Sequence, residues 1–333
     1  MEPEAHFPPR AGSPVRADSP LPTVLVLDAD PPPRLGSLIG RAQVVRTDGD
    51  SLAALLPSAD VLLVWDHTSD AVRRAWPGTG PRPRWVHAAS AGVDHVLGPE
   101  LVASGTVVTN ARGIFEGPVA EYVAALVLAM AKDLPRTLDL QRHGEWRHRD
   151  TLRVAGSRAV VVGSGPIGKA VARTLKALGV RTAVVGRVSG PGVHGPDELD
   201  RMLARADWIV CAAPLTAQTR GMFGSRRFGM MQPSARFVNV GRGALVVTDE
   251  LVDALSRRWI AGAALDVFEV EPVGERSPLW GVPGLIVSPH MSGDVLGWRD
   301  ALGAQFVEQF GRWVRGEVLR NVVDKPRGYV PGP

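Results

Sequence analysis

A single cysteine, Cys211, stands in a chain of 333 residues. One thiol excludes an intrachain disulfide and any cysteine-cluster metal site, and such sparing use fits the cytosol. Long uncharged apolar runs are missing too. The most apolar helical candidate, residues 119–131, falls short of the roughly 18–20 residues of a membrane span and contains Glu121. The opening residues, MEPEAHFPPRAGSPVRADSP, lack the apolar centre of a secretory signal, so residues 1–20 are expected to form a disordered tail. Lysine is scarce, and the net charge of +4 is carried by arginine. The arginines are scattered. No run is denser than Arg73-Arg74 or Arg257-Arg258, and none is interleaved with aromatics, so a nucleic-acid surface is not expected. His143 and His148 are five apart and miss the helical spacing of a metal pair. No repeat of fixed period is present.

What is there suits a globular enzyme of two domains: 45% hydrophobic and 22% charged residues. β-branched and leucine-rich runs predict strands at residues 24–27, 43–45, 61–65, 85–88 and 106–109, with helices at 51–56 and 71–76 between them. A long helix is predicted at 118–131, with Pro118 in its first turn, and another at 137–146. The alternation then restarts. Strands are expected at 159–162, 182–185, 208–212, 237–240, 261–267 and 285–287, and helices at 167–178 and 197–205. A last helix, 297–315, carries Leu302, Phe306 and Phe310 on one face. Such a rhythm predicts an α/β fold with two doubly wound parallel-sheet domains, residues 21–112 and 113–292, and with 293–333 returning to the first.

The strongest local motif is Gly163-Ser164-Gly165-Pro166-Ile167-Gly168, directly after the strand 159–162 and opening a helix. In that setting Gly163 allows a tight turn, Gly165 lets backbone N–H groups approach a pyrophosphate, and Gly168 lets helix and strand pack closely. The helix N-terminus adds partial positive charge for the phosphates. A nicotinamide dinucleotide is the expected cofactor. An NAD-selecting site places a carboxylate after the next strand. Here that strand ends in Gly186-Arg187-Val188-Ser189. Glycine leaves room for a 2′-phosphate, and Arg187 with Ser189 can hold it. NADP(H) is therefore the preferred cofactor, with NAD(H) left open.

Three later segments carry ionisable residues at strand ends: Asn239–Gly243 with Arg242, Leu265–Pro272 with Asp266, Glu269 and Glu271, and Ser288–Gly293 with His290. The carboxyl ends of parallel strands face the ligand crevice, so an arginine, a carboxylate and a histidine can converge there. Hydride transfer to a 2-oxo acid builds negative charge on the carbonyl oxygen. An imidazolium can protonate that oxygen, a carboxylate can orient the imidazole, and a guanidinium can hold the substrate carboxylate.

These segments, with Ser90-Ala91-Gly92-Val93-Asp94, Val119-Ala120-Glu121-Tyr122 and Ala213-Pro214-Leu215-Thr216, occur in one order. In that order the chain resembles a D-isomer-specific 2-hydroxyacid dehydrogenase of the NADP-type, glyoxylate/hydroxypyruvate reductase-like kind. The resemblance implies a Rossmann cofactor domain inserted in a flavodoxin-like substrate domain. It makes His290 the acid/base, Glu271 its partner and Arg242 the substrate-binding cation; Glu269 has no such role. It sets Asp266 against the nicotinamide amide and lines the cofactor groove with Pro166, Ile167, Ala213, Pro214, Thr219, Val240 and Gly293. The Gly92 and Val93 N–H groups beside Ala91 would bind the substrate carboxylate, and Trp65 and His67 would shape its pocket. It implies a homodimer, with residues 118–131 as the interface candidate, and substrate between the domains. The reading is NADPH-dependent reduction of a 2-oxo acid to the D-2-hydroxy acid. Two alternatives stay open: oxidation of an anion such as phosphite or formate, and a dinucleotide-sensing corepressor without turnover.

Overall fold

The computed structural model describes residues 20–66 and 69–331. Nearly all of the expected tail, and His67, lie outside them. The chain divides into two compact units. One holds the described residues up to Ile114 together with those from Leu296 onward; the other is Phe115–Val295.

In the first unit, β1 (Thr23–Leu27), β2 (Gln43–Thr47), β3 (Val61–Val64), β4 (Trp85–Ala88) and β5 (Val107–Asn110) form a parallel sheet in the order β2-β1-β3-β4-β5. The inner strands β1, β3 and β4 are buried nearly throughout, which is why they read as continuous apolar runs and not as alternating ones. The chain leaves β1 for β2 on one side and then returns to β3 on the other. That reversal is a topological switch point. The C-terminal helix, Trp298–Val314, belongs to this unit and buries Leu302, Phe306, Phe310 and Trp313. Phe306 stacks on Trp85 of β4 with ring centroids 5.5 Å apart. Burial of each such ring stabilises the unit by about 1.5–3 kcal/mol.

The second unit holds β6 (Arg158–Val162), β7 (Arg181–Val185), β8 (Trp208–Cys211), β9 (Arg236–Asn239), β10 (Gly262–Leu265) and β11 (Leu285–Val287), all parallel, in the order β11-β10-β9-β8-β6-β7. An apolar layer covers each face. Phe223, Phe228, Phe237 and Leu251 lie in one, and Val123, Val127, Val171 and Leu175 in the other. Two doubly wound α/β units are therefore the architecture.

Some elements differ from expectation. The helix expected at 118–131 runs Glu116–Ala131; Val119, Ala120, Val123, Ala124, Leu126, Val127 and Ala131 are buried within its own unit, while Glu121 and Ala125 are exposed. The helix expected at 137–146 is Leu134–Arg142. Asp133, in the left-handed conformation, closes the preceding helix, Pro135 suits the first turn, and Gly144 at φ 69° ends it. The helix Thr248–Ser256 was not anticipated from its polar sequence; Leu251, Ala254 and Leu255 form its narrow buried face.

Candidate active site

The glycine loop joins β6 to the helix Pro166–Ala177. Gly163 has φ 126°, and a Cβ there would lie 2.4 Å from the carbonyl oxygen of Ala212. A Cβ on Gly168 would lie 1.8 Å from the Gly163 oxygen. Close packing therefore demands both glycines. Gly165 differs: no protein atom lies within 4 Å of a Cβ built there. Its open approach, at the N-terminus of a 12-residue helix, fits a pyrophosphate held by backbone N–H groups. Pro166 and Ile167, in that first turn, are half-buried.

Gly186 has a role other than the expected one. A Cβ there would lie 2.4 Å from Ser164 Oγ and 2.9 Å from Val193 Cγ1. The protein's own side chains crowd that direction, so the glycine serves the contact with Ser164. The same crowding excludes a carboxylate at this position. Beyond it, Arg187 and Ser189 are exposed on a turn closed by paired Gly190–Val193 hydrogen bonds of 2.9 Å. His194 then pairs back along β7, its N–H donating to Val184 at 2.8 Å.

The loop after β8 holds Ala213, buried, and Pro214, exposed. Thr219 Oγ1 donates to the Pro214 carbonyl at 2.7 Å and accepts from the Thr216 N–H at 2.8 Å. That hydroxyl ties its own loop. Val240, at the end of β9, is buried and donates its N–H to the Cys211 carbonyl at 3.0 Å.

Arg242 follows β9 on a turn built by Asn239, a residue whose role the sequence did not disclose. The buried Asn239 side chain donates to the Arg242 carbonyl at 2.9 Å and accepts from the Gly241 N–H at 3.1 Å. The guanidinium donates to the Gly241 carbonyl at 2.8 Å. Glu271 is held by the Phe268 N–H, 2.7 Å from Oε1, and its Oε2 lies 2.7 Å from His290 Nδ1. Burial works to raise the Glu271 carboxyl. The hydrogen bonds from His290 and Phe268 and the charges of His290 and Arg242 outweigh it, and the group is held below the ordinary carboxylate range. Glu271 is thus an anion at neutral pH. Nδ1 of His290 then carries the proton that it shares, which leaves Nε2 for chemistry. The arginine, the carboxylate and the imidazole are electrostatically coupled, all within the second unit.

Asp266 is fully buried, and its side chain is engaged by its own loop. Its Oδ1 accepts from Ser288 Oγ at 2.7 Å and the Met291 N–H at 3.0 Å, and its Oδ2 accepts from the Ser292 N–H at 3.0 Å. Its carbonyl accepts the His290 N–H at 2.8 Å. Asp266 clamps the loop that carries His290. The clamp matters because His290 has φ 50°, a left-handed conformation that costs a non-glycine residue about 1–3 kcal/mol unless its surroundings enforce it. Gly293 ends the same loop, and a Cβ there would lie 2.6 Å from Phe115 Cδ1, so it too serves packing.

In the first unit, Ala91, Gly92 and Val93 follow β4. Ser90 Oγ donates to the Gly92 carbonyl at 2.7 Å, and Asn110 Nδ2 to the Ala91 carbonyl at 2.6 Å. The turn is rigid, and among the described residues the Gly92 and Val93 N–H groups donate to no backbone carbonyl. Trp65, at the end of β3, is 7% exposed and lies under the guanidinium of Arg299.

Comparison with known proteins agrees with this geometry. The family model for the D-isomer specific 2-hydroxyacid dehydrogenase, NAD binding domain, matches residues 124–292. A glyoxylate reductase of Thermococcus gammatolerans is 32% identical over 259 residues, which span 74% of this chain and 77% of that one. The chain belongs to the D-isomer specific 2-hydroxyacid dehydrogenases. Among solved structures, an NADPH-dependent glyoxylate/hydroxypyruvate reductase from Sinorhizobium meliloti, in complex with NADP and sulfate, superposes with a TM-score of 0.79 at 27% identity, covering 92% of this chain and 100% of that one. A D-isomer specific 2-hydroxyacid dehydrogenase from Xanthobacter autotrophicus, in complex with NADPH and MES, gives 0.75 at 29% identity, covering 93% and 100%. This dehydrogenase is an oxidoreductase of 2-oxo and D-2-hydroxy acids that uses a nicotinamide dinucleotide. No helix of the described residues is long and apolar enough to cross a membrane.

Proposed function

We propose that the enzyme reduces a small 2-oxo acid to the D-2-hydroxy acid with NADPH, and that His290 is the proton donor. The observation that carries this is the His290–Glu271 pair at 2.7 Å, with the charge of Arg242 acting on the same carboxylate. Bound reduced nicotinamide supplies a hydride to C2. The developing alkoxide takes a proton from His290 Nε2, and Glu271 stabilises the imidazolium beforehand. Arg242 holds the substrate carboxylate and polarises the carbonyl.

The preference for NADPH rests on the turn after β7. Crowding by Ser164 and Val193 bars an acid at position 186, and Arg187 and Ser189 are exposed beside it. Solved relatives that bind NADP or NADPH support the same choice. The test is kcat/KM for both cofactors with glyoxylate. NADPH is expected to be favoured at least about tenfold, and Arg187→Ala to narrow that ratio by about tenfold, as loss of a charge-assisted hydrogen bond does. Equal efficiencies in the unaltered enzyme would overturn the assignment.

A further inference from the structure

The turn that carries Arg187 and Ser189 also holds Gly190 and Gly192, and nothing lies within 4 Å of a Cβ built on either. Glycine has more backbone freedom to lose than any other residue, so such a turn needs ties to keep a side chain in place. The ties converge on His194, where the chain rejoins the sheet. His194 pairs in parallel with Val185. Its N–H donates to the Val184 carbonyl at 2.8 Å, and its carbonyl accepts from the Gly186 N–H at 2.9 Å. A Cβ on Gly195 would lie 3.6 Å from the Ser189 Cβ, so the far side of the turn rests against the same corner. The imidazole reaches outside the turn. Its Nδ1 lies 3.1 Å from Glu198 Oε2, which also accepts from Arg201 Nη2 at 3.0 Å. The His194 hydrogen bond, aided by the charge of Arg201, holds the Glu198 carboxyl below the ordinary carboxylate range. Glu198 is itself well seated, between the turn that begins at Pro196 and the helix Leu199–Leu203, which buries Leu199 and Leu203.

Global stability does not explain the pair. With 44% of the histidine and 37% of the glutamate side chain exposed, such a contact adds little to it. Its effect is local. We propose that His194 is a positioning residue for cofactor selection: hooked to Glu198, it fixes the glycine-containing turn so that Arg187 and Ser189 are already placed for the 2′-phosphate of NADPH. This rests on the NADPH reading above. An arginine on a loose turn loses backbone and rotamer freedom when it closes on an anion. On a turn already held it loses less, and the anion binds more tightly. NADH carries a hydroxyl in place of that phosphate, so the latch favours one dinucleotide and leaves the other nearly untouched.

The test is calorimetry on the full-length enzyme with two ligands that differ by the 2′-phosphate, adenosine 2′,5′-bisphosphate and adenosine 5′-monophosphate. It needs no turnover. In the unaltered enzyme the bisphosphate binds at least about tenfold more tightly, the usual effect of charge-assisted hydrogen bonds. His194→Ala narrows that ratio about threefold to fivefold, while the affinity for the monophosphate changes by less than about twofold. Glu198→Ala does the same, and combining the two variants adds little, as expected of residues that act as one pair. His194→Asn, whose Nδ2 takes the place of Nδ1, restores the ratio to within about twofold. In an Arg187→Ala background the effect of His194→Ala shrinks below about twofold, because the latch acts through the arginine. Equal weakening of both ligands would make His194 a general packing element and overturn the proposal. An undiminished effect without Arg187 overturns it too. If the unaltered enzyme does not favour the bisphosphate, the NADPH reading falls and takes the latch with it. If the bisphosphate is favoured and His194→Ala leaves the ratio alone, the latch falls and the NADPH reading stands.

Discussion

Two histidines show how the same side chain is put to opposite uses. His290 is partly exposed, and its Nδ1 meets the Glu271 carboxylate at 2.7 Å. His87, in the middle of β4, is fully buried. Its Nδ1 lies 2.8 Å from the Thr109 hydroxyl, which Trp85 Nε1 also approaches at 2.8 Å, and its Nε2 has no partner among the described residues. Trp85 and Phe306 rings pack beside it at 5.9 and 5.6 Å. Desolvation without a counter-charge pushes the His87 imidazole down to about 3. A carboxylate partner and access to water suit one ring to the proton transfer proposed for it; apolar burial makes the other a neutral packing element.

The comparison breaks most severely at His290. His290→Asn is expected to lower kcat by about 10²–10⁴ with NADPH still bound, because the proton donor goes and the glycine loop stays. Glu271→Gln removes the carboxylate that holds His290 Nδ1 at 2.7 Å. A fall in kcat of about tenfold or more is expected, with NADPH affinity little changed. Steady-state kinetics and a cofactor titration check it. Unchanged kcat in Glu271→Gln, or full turnover in His290→Asn, would remove the pair from its role.

Asp266 sharpens the comparison by asking what keeps His290 in place. Asp266→Asn leaves one acceptor oxygen and turns an NH2 toward backbone N–H donors. A drop in kcat of about tenfold is expected, as a buried hydrogen-bonded charge is lost. NADPH affinity, read by fluorescence titration, should change by less than about threefold. Direct contact with the nicotinamide amide predicts the reverse, weaker cofactor binding with kcat at saturation largely kept.

Both sheets were legible in the sequence, since parallel strands covered on both faces leave unbroken runs such as Val24–Leu27 and Ala159–Val162. The glycine loop was legible because its spacing follows from backbone geometry. The identities of Arg242, Glu271 and His290 came from their places at strand ends and from the family resemblance. What escaped was the supporting layer. Asn239 and Asp266 act through hydrogen bonds to backbone groups two to 26 residues away, and no periodicity reports such bonds. The crowding of Gly186 by Ser164 and Val193 was likewise invisible, because the sequence does not reveal that those side chains come together there. The helix Thr248–Ser256 was missed because three buried residues among nine polar-leaning ones give too weak a period.

The smallest expected effect lies at His87, and it appears in stability and not in turnover. Above pH 6.5 the ring is neutral in both the folded and the unfolded chain, so it contributes no pH dependence. Below 6.5 the unfolded chain takes up a proton that the buried ring refuses until about pH 3. The unfolded state therefore gains on the native one by about 1.4 kcal/mol per pH unit as pH falls through that window. His87→Gln keeps a side chain able to hydrogen-bond Thr109 and cannot titrate. Denaturant unfolding at pH 7 and pH 5 is the measurement. The variant should be somewhat less stable at pH 7, because the packing around Trp85 and Phe306 is altered, yet it should lose less stability between pH 7 and pH 5 by about 2 kcal/mol. An equal loss in both proteins would mean that His87 takes up its proton in the folded state as readily as in the unfolded one, and the contrast with His290 would then rest on geometry alone.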